Sequence, residues 1–365
     1  MNYKYVIVGA GLSGLTIAER IANELDEEVL IIEKRPHIGG NVYDSYQEGI
    51  LIQNYGPHIF HSKIKEVNDY LSQFTQWIPY EHRVLSSVDG KLVPMPICID
   101  TLNKLYDLDL DEEGMKQWIE EHKEDIDEVK SSEDVVLKNA GRDIYEKLFK
   151  NYTELQWGTS AANLDPSVIS RIPFRFNHDT RYFEDEYQGM PKEGYTKMCE
   201  KMIENPKIKI LLKTDYNDVI DDIDYETVIY TGEIDYFYDY KFGKLLYRSL
   251  RFETETKDVD SFQEVAVVNY PNDYDFTRIT EFKKLTGQIY PGKTTLMMEY
   301  PGFDDEPCYP YPTEEYMNKF KEYETLMKKE ENVIFLGRLA EYKYYNMDLV
   351  VKSALDTFNN KIKGE

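Results

Sequence analysis

The chain is poor in cysteine, in long apolar runs and in positive charge. Cys98, Cys199 and Cys308 are the cysteines among 365 residues. They are scattered and odd in number, which argues against a disulfide framework or a clustered zinc site and reads as ordinary thiols. No run reaches the roughly 18 apolar residues that a bilayer demands, so no membrane span is expected. The first residues lack the basic, apolar, small-residue pattern of a secretory signal, and a cytoplasmic location is expected. Lys and Arg number 43 against 68 Asp and Glu, a net charge of −25. Nucleic acid and anionic membrane both need a basic footprint, so neither is an expected partner. An anionic substrate must instead meet a local basic pocket. Internal repeats and low-complexity linkers are absent too.

Tyrosine is abundant, with 31 copies. Most are read as packing residues, although each joins a stacking face to a hydroxyl, useful around sugars and bases. The most specific stretch opens the chain: "YVIVGAGLSGLTIAERIANELDEEVLIIEKR", residues 5–35. It reads as a strand over 3–8, a helix over 12–25 and a second strand over 29–33. Gly9, Gly11 and Gly14 form G-x-G-x-x-G between strand and helix, with Leu12 and Ser13 between the last two glycines. Such glycines allow a tight turn and a close approach of backbone to a pyrophosphate at the helix N-terminus. Glu33 ends the second strand, followed by Lys34 and Arg35; its carboxylate suits the two hydroxyls of an adenosine ribose. Next comes "RPHIGGN", with Gly39, Gly40 and Asn41. A second glycine pair there favours FAD over NAD, and "FLGR" before a last helix at 347–362 returns the chain to the flavin end.

From about 97 to 157 the pattern is helical, with Asp100 as a cap for "DTLNKLYDL" and Ser131 with Asp134 in capping-box spacing. Residues 171–190 and 246–300 look β-rich, and 208–213 and 227–231 read as further strands of the first sheet. "LFKNYTELQWG" sets Leu148, Phe149, Tyr152 and Thr153 on one side of a helix, with Trp157 just beyond. Those aromatics suit either a packed core or a stacked base. Arg171, Arg175 and Arg181 fall within eleven residues of an acidic chain. Guanidinium groups bind phosphates bidentately, although Arg175 and Arg181 suit surface ion pairs with Glu184, Asp185 and Glu186 equally well. "NYPNDYDFTRITEFKK" adds Asn269 and Arg278. His58 and His61 in "PHIFH" have the spacing of a metal pair but lack an evident third ligand; His37, His122 and His178 are left as structural or exposed.

Taken together, "VGAGLSG", "HIGGN", "YGPHIFH", "NYTELQWG", "RIPFRFN", "YQGMP", "YRSLRFE", "TRITE", "MEYP" and "GRLAEYKYYNMD" resemble the bacterial UDP-galactopyranose mutase family, in order and over nearly the whole chain. The resemblance implies an α/β fold, a discontinuous Rossmann-like FAD-binding domain (1–80, 195–240 and 325–365). It carries a helical insert (97–165) and an antiparallel β-sheet insert (81–96, 166–194 and 241–324). It implies an isomerase that interconverts UDP-galactopyranose and UDP-galactofuranose for cell-surface glycan, with reduced FAD as a nucleophile through N5. NAD(P)H or another reductant and a homodimer are implied as well.

Residue by residue, the resemblance puts Arg171 and Arg278 on the pyrophosphate. Tyr152 stacks on uracil, with Phe149, Thr153 and Trp157 beside it. Tyr182, Tyr309 and Tyr344 hold the diphosphate. Arg338, His58, Ile59 and His61 lie by the flavin, with Asn346, Met347 and Asp348 at the last helix, and His82 and Asn269 fall on the substrate side. Several positions depart from the family: Asn346 for aspartate, His82 for asparagine, Phe282 for histidine, Asn151 for glycine and Gln53 for histidine. These bear on which sugar is used. The alternatives are a mutase of another nucleotide sugar (UDP-N-acetylgalactosamine or a deoxyhexose), an FAD-dependent oxidoreductase of the amine-oxidase type, and an inactive nucleotide-binding protein.

Overall fold

The computed structural model describes residues 2–303 and 306–364. Its central sheet is all parallel, with the order Ile208–Leu211, Val29–Ile32, Asn2–Val8, Asp224–Tyr230 and Val333–Phe335. Strands buried on both faces need continuous apolar runs, and "VLII" and the end of "NYKYVIV" supply them. The helix Leu12–Arg20 returns across this sheet and packs on the last helix, Met347–Thr357. Residues from the beginning, middle and end of the chain thus build one layer, and the strands expected near 208 and 227 belong to it.

A second sheet has seven strands, ordered Pro307–Pro310, Tyr247–Lys257, Thr294–Gly302, Arg278–Glu281, Val267–Asn269, Val84–Val88 and Lys91–Met95. It is not wholly antiparallel as expected, because Val267–Asn269 runs parallel to Val84–Val88. A small sheet of Phe60–Ser62, Tyr187–Pro191 and Trp77–Pro79 completes the strands around the site.

The helical segment holds Ile99–Tyr106, Glu112–His122, Ser132–Ala140 and Asn151–Trp157. Ser131 and Asp134 form the expected capping box: Asp134 N donates to Ser131 Oγ at 3.2 Å and Ser131 N to Asp134 Oδ2 at 2.9 Å. Asp100 is not the cap of the first helix. Cys98 holds that position, and the Thr101 hydroxyl accepts from its backbone N–H at 3.0 Å, leaving Asp100 in the first turn. The β-rich reading of 171–190 also fails: strand begins only at Tyr187, after a short helix Ser167–Ser170 and an irregular stretch held by Arg175. Arg175 is buried and bonds Glu184 at 2.9 Å and the Asp179 carbonyl at 3.1 Å. Side-chain to backbone bonds replace a ladder there.

Candidate active site

A cavity of about 430 Å³ opens at the carboxyl ends of the parallel strands, where open α/β sheets bind their ligands. Its floor is the glycine turn. Gly9 has φ +102°, and a side chain there would meet Thr231 Oγ1 at 2.2 Å; Gly14 is pressed against the Gly9 carbonyl, whose oxygen would stand 2.0 Å from the first carbon of any side chain. Gly11 differs: a side chain there would find nothing closer than Gly40 Cα at 3.9 Å, so it would occupy the cavity itself. Glu33 is buried at the rim, with Ala10 N donating to Oε2 at 2.7 Å and Arg35 N to Oε1 at 2.8 Å. Two backbone donors fix the carboxylate, and its remaining lone pairs are available to a ribose. Leu12, Ser13, Lys34, Arg35, Gly40, Asn41, His58, Arg338 and Met347 join it on the lining. The glycine cradle, the held carboxylate and the basic residues at the far end fit a dinucleotide cofactor such as FAD.

Other residues expected at the cofactor lie behind this wall. Gly14 serves helix packing, and Ile59 is in the core. Asp348 Oδ2 accepts from Ser62 Oγ at 2.9 Å and anchors the last helix. Asn346 is exposed at that helix's N-cap without a side-chain capping bond. His61 stacks on Phe183 with centroids 3.6 Å apart and bonds Asp185 through Nδ1 at 2.6 Å. The cavity also takes residues that sequence reading missed: Thr214, Asp215 and Tyr216 after one parallel strand, and Tyr230, Thr231 and Glu233 at the end of another. Their signal was positional, since each follows a strand assigned to the first sheet.

Beyond His58 lies a second cluster on the seven-stranded sheet. Asn269, Arg278 and Glu299 stand abreast on three adjacent strands. Arg278 Nη2 donates to Glu299 Oε1 at 3.0 Å, while Arg278 Nε and Asn269 Oδ1 are buried without a partner among the described residues. A donor and an acceptor, both orphaned and side by side, mark a polar ligand's place. Burial works against the Arg278 charge, but Glu299 together with Tyr152, Tyr182 and Tyr309 outweighs it and the guanidinium pKa is raised. Burial lifts the Tyr152 phenol to about 12 although Arg278 pulls it down. Burial, helped by Arg278, pushes His82 down to about 3. The same causes, with Arg338 added, bring His58 to about 4.

The expected aromatics converge on this cluster. Trp157 lies 5.5 Å from Tyr309 and 6.2 Å from Tyr344 between ring centroids, and Tyr309 lies 5.4 Å from Tyr344. Arg171 and Arg338 stand over Tyr344 at 5.0 and 5.5 Å. Desolvation of the half-exposed Tyr344 raises its phenol, yet Arg171, Arg338 and Arg278 outweigh it and leave the pKa lowered. Tyr182 and Phe183 pack on His82, whose Nδ1 lies 3.2 Å from the Tyr80 hydroxyl. Phe149 and Thr153 are buried beside Tyr152, on a segment whose turn Tyr145–Lys150 is widened to a π-helix. Such bulges re-aim side chains and recur at functional sites. Arg181 turns instead to Asp179 at 2.8 Å. Of the departures, Phe282 is fully buried in the core, Gln53 braces the His58 backbone on both sides, and Asn151 bonds Asn272 at 3.0 Å.

A Rossmann-type dinucleotide cavity, with an arginine-and-tyrosine cluster on a second sheet beyond His58, is the arrangement of a cofactor-dependent enzyme with a place for an anionic ligand. The model of the UDP-galactopyranose mutase family matches residues 147–344, and that of NAD(P)-binding Rossmann-like domains matches 7–74. The "Probable UDP-galactopyranose mutase" of Klebsiella pneumoniae is 38% identical over 98% of this chain and 94% of its own. The dTDP-fucopyranose mutase of Escherichia coli is 35% identical over 99% and 98%. Among solved structures, reduced UDP-galactopyranose mutase superposes with a TM-score of 0.79 at 16% identity, over 100% of this chain and 96% of that one. The chain belongs to the UDP-galactopyranose mutase family, a family of isomerases.

Proposed function

We propose that the protein interconverts the pyranose and furanose forms of UDP-galactose, with FAD in its reduced state. The observation that carries this reading is the Asn269–Arg278–Glu299 row with its orphaned donor and acceptor, next to the cofactor cavity. Held by the glycine turn, Glu33 and the cavity lining, reduced FAD would supply the nucleophile for the anomeric carbon. Arg171 and Arg278 offset the charge that grows on the UDP diphosphate as its bond to the sugar breaks. Tyr152 and Trp157 hold the uracil, and Tyr182, Tyr309 and Tyr344 donate to the diphosphate. Glu33 and the glycine turn keep the cofactor's adenosine end in place. A cytoplasmic homodimer, kept reduced by NAD(P)H or another donor and supplying galactofuranose for cell-surface glycan, completes the proposal.

A second reading is a mutase of a dTDP-deoxyhexose, favoured by the 35% identity to dTDP-fucopyranose mutase and by His82 among Tyr80, Tyr182 and Phe183. Chromatography of the products formed by dithionite-reduced protein from a panel of UDP- and dTDP-pyranoses decides between them. Furanose from UDP-galactose supports the first reading. Furanose only from a dTDP-deoxyhexose supports the second, and no furanose from any sugar overturns both.

A further inference from the structure

Behind the tyrosines sits a buried cation that this reading leaves unused. Arg248 is 2% exposed at the start of the strand Tyr247–Lys257. Its Nε donates to the Gln156 carbonyl at 2.9 Å and its Nη2 to the Leu155 carbonyl at 3.0 Å. These belong to the last turn of Asn151–Trp157, where carbonyls lack intrahelical partners and carry partial negative charge. The guanidinium also lies 4.1 Å from the Phe303 ring and faces Tyr309. At Gly158, with φ +68°, a side chain would meet Arg248 Nη1 at 2.9 Å, so the turn leaving the helix packs directly on the cation.

Gln156, held by its carbonyl, presents its side-chain amide to Tyr309: Nε2 donates to the phenol oxygen, and Oε1 is buried without a partner among the described residues. A phenol has one proton and two lone pairs, and arginine only donates. With Gln156 Nε2 and Arg248 as donors on its oxygen, Tyr309 in this arrangement gives its own proton elsewhere. Burial raises the Tyr309 pKa above the usual tyrosine range, so the proton stays in place through neutral pH. Tyr344 neighbours Tyr309, with ring centroids 5.4 Å apart, and Arg171 stands over Tyr344, so an anion is favoured there.

We propose that Gln156 and Arg248 are positioning residues that fix Tyr309 as a dedicated donor to the anionic group of the ligand. That group is a diphosphate on the functional reading above, on which this inference rests. The test is calorimetric titration of UDP and of uridine into FAD-loaded wild type, Gln156→Glu, Gln156→Met, Tyr309→Phe and the double variant Gln156→Glu/Tyr309→Phe. A carboxylate at 156 only accepts, and it draws the Tyr309 proton back. Gln156→Glu is expected to weaken UDP by about tenfold or more while uridine stays within about twofold, as for one lost bond to a charged group. The double variant is expected to bind UDP no more weakly than Tyr309→Phe alone, because the two changes remove the same bond. Gln156→Met, which adds no acceptor, is expected to lose less but with the same bias toward UDP. Equal losses for UDP and uridine, unchanged UDP affinity in both Gln156 variants, or full additivity would overturn the inference. A wild type that binds no UDP at all would overturn the functional reading and this inference with it.

Discussion

Arg278 and Glu299 face each other across neighbouring strands, with 3.0 Å between Nη2 and Oε1. The carboxylate is nearly buried, at 4% side-chain exposure, while the guanidinium keeps 27%. Glu299 therefore anchors, and Arg278 keeps a buried Nε with no partner among the described residues. Arg278→Ala is expected to cut turnover by about a hundredfold or more, as for loss of one donor to developing charge. Arg278→Lys stays badly impaired, because an ammonium cannot reproduce the fork. Glu299→Ala releases the guanidinium without removing it, and a smaller loss of about tenfold is expected. Steady-state kinetics of reduced, FAD-loaded variants check all three. Near-normal turnover in Arg278→Ala removes the residue from the mechanism.

Tyr152 acts differently. It contacts the base on this reading, far from the breaking bond, so its contribution is the same in ground and transition states. Tyr152→Ala should raise KM and the UDP dissociation constant and leave turnover largely intact. A fall in turnover at saturating substrate, with affinity unchanged, would contradict the stacking role.

Glu33 accepts from Ala10 N and Arg35 N, so it shapes the glycine turn as well as the ribose end. Glu33→Ala should strip FAD from the purified protein, read as a fall in the ratio of visible flavin absorbance to protein absorbance. Wild-type protein that is colourless and cannot be reconstituted with FAD would refute the cofactor assignment outright.

These residues were not equally legible in the sequence. The glycines and Glu33 act within one strand–turn–helix–strand unit, so their spacing reveals them. Ser131 and Asp134 cap a helix three residues apart and were equally plain. Glu299 pairs with Arg278 through sheet register across 21 residues, and nothing local announces it. Thr214 and Tyr230 reach the cofactor cavity because parallel strands end together, a matter of topology. Cys98 displaced Asp100 as cap because the Thr101 hydroxyl, which also donates to the Pro94 carbonyl at 2.9 Å, serves the turn from inside the core. The stretch at 171–186 alternates like a strand but has Arg175 buried in its midst, bonding carbonyls that a ladder would have used.

His82 is 5% exposed, and its pKa falls from 6.5 to about 3. Tyr80, Tyr182, Phe183, His61 and Arg278 surround it, so burial and positive neighbours both oppose its charge. Between those two values the unfolded chain binds the proton and the folded one does not. Stability from this residue is complete above about pH 6.5 and is lost as pH falls toward 3, at up to about 1.4 kcal/mol per pH unit. His82→Asn should therefore flatten the acid limb of stability between about pH 6 and pH 4. Denaturant melts at stepped pH would show it; parallel limbs in wild type and variant would rule it out.

Arg171 has the loosest hold of the site's arginines. It lies one residue past the short helix Ser167–Ser170, is exposed, and holds the Val168 carbonyl at 3.1 Å and the Tyr344 side chain, over whose ring it stands. The segment from Gly158 to Phe176 leaves the helix through a left-handed glycine; Leu164 and Ile169 hold it to the core, while Arg171 stands on an exposed stretch before Pro173. A diphosphate arriving beside Tyr344 would give the guanidinium a bidentate partner in place of one carbonyl. The expected outcome is that trypsin cuts after Arg171 in the free protein and that UDP suppresses the cut, while uridine, which lacks phosphate, does not. Arg171→Ala should lose about a hundredfold in turnover and should no longer restrict its segment when UDP is added, seen as cleavage by a protease of broad specificity. Equal cleavage of wild type with and without UDP would mean that the segment is already fixed, and that Arg171 meets the phosphate without closing over it.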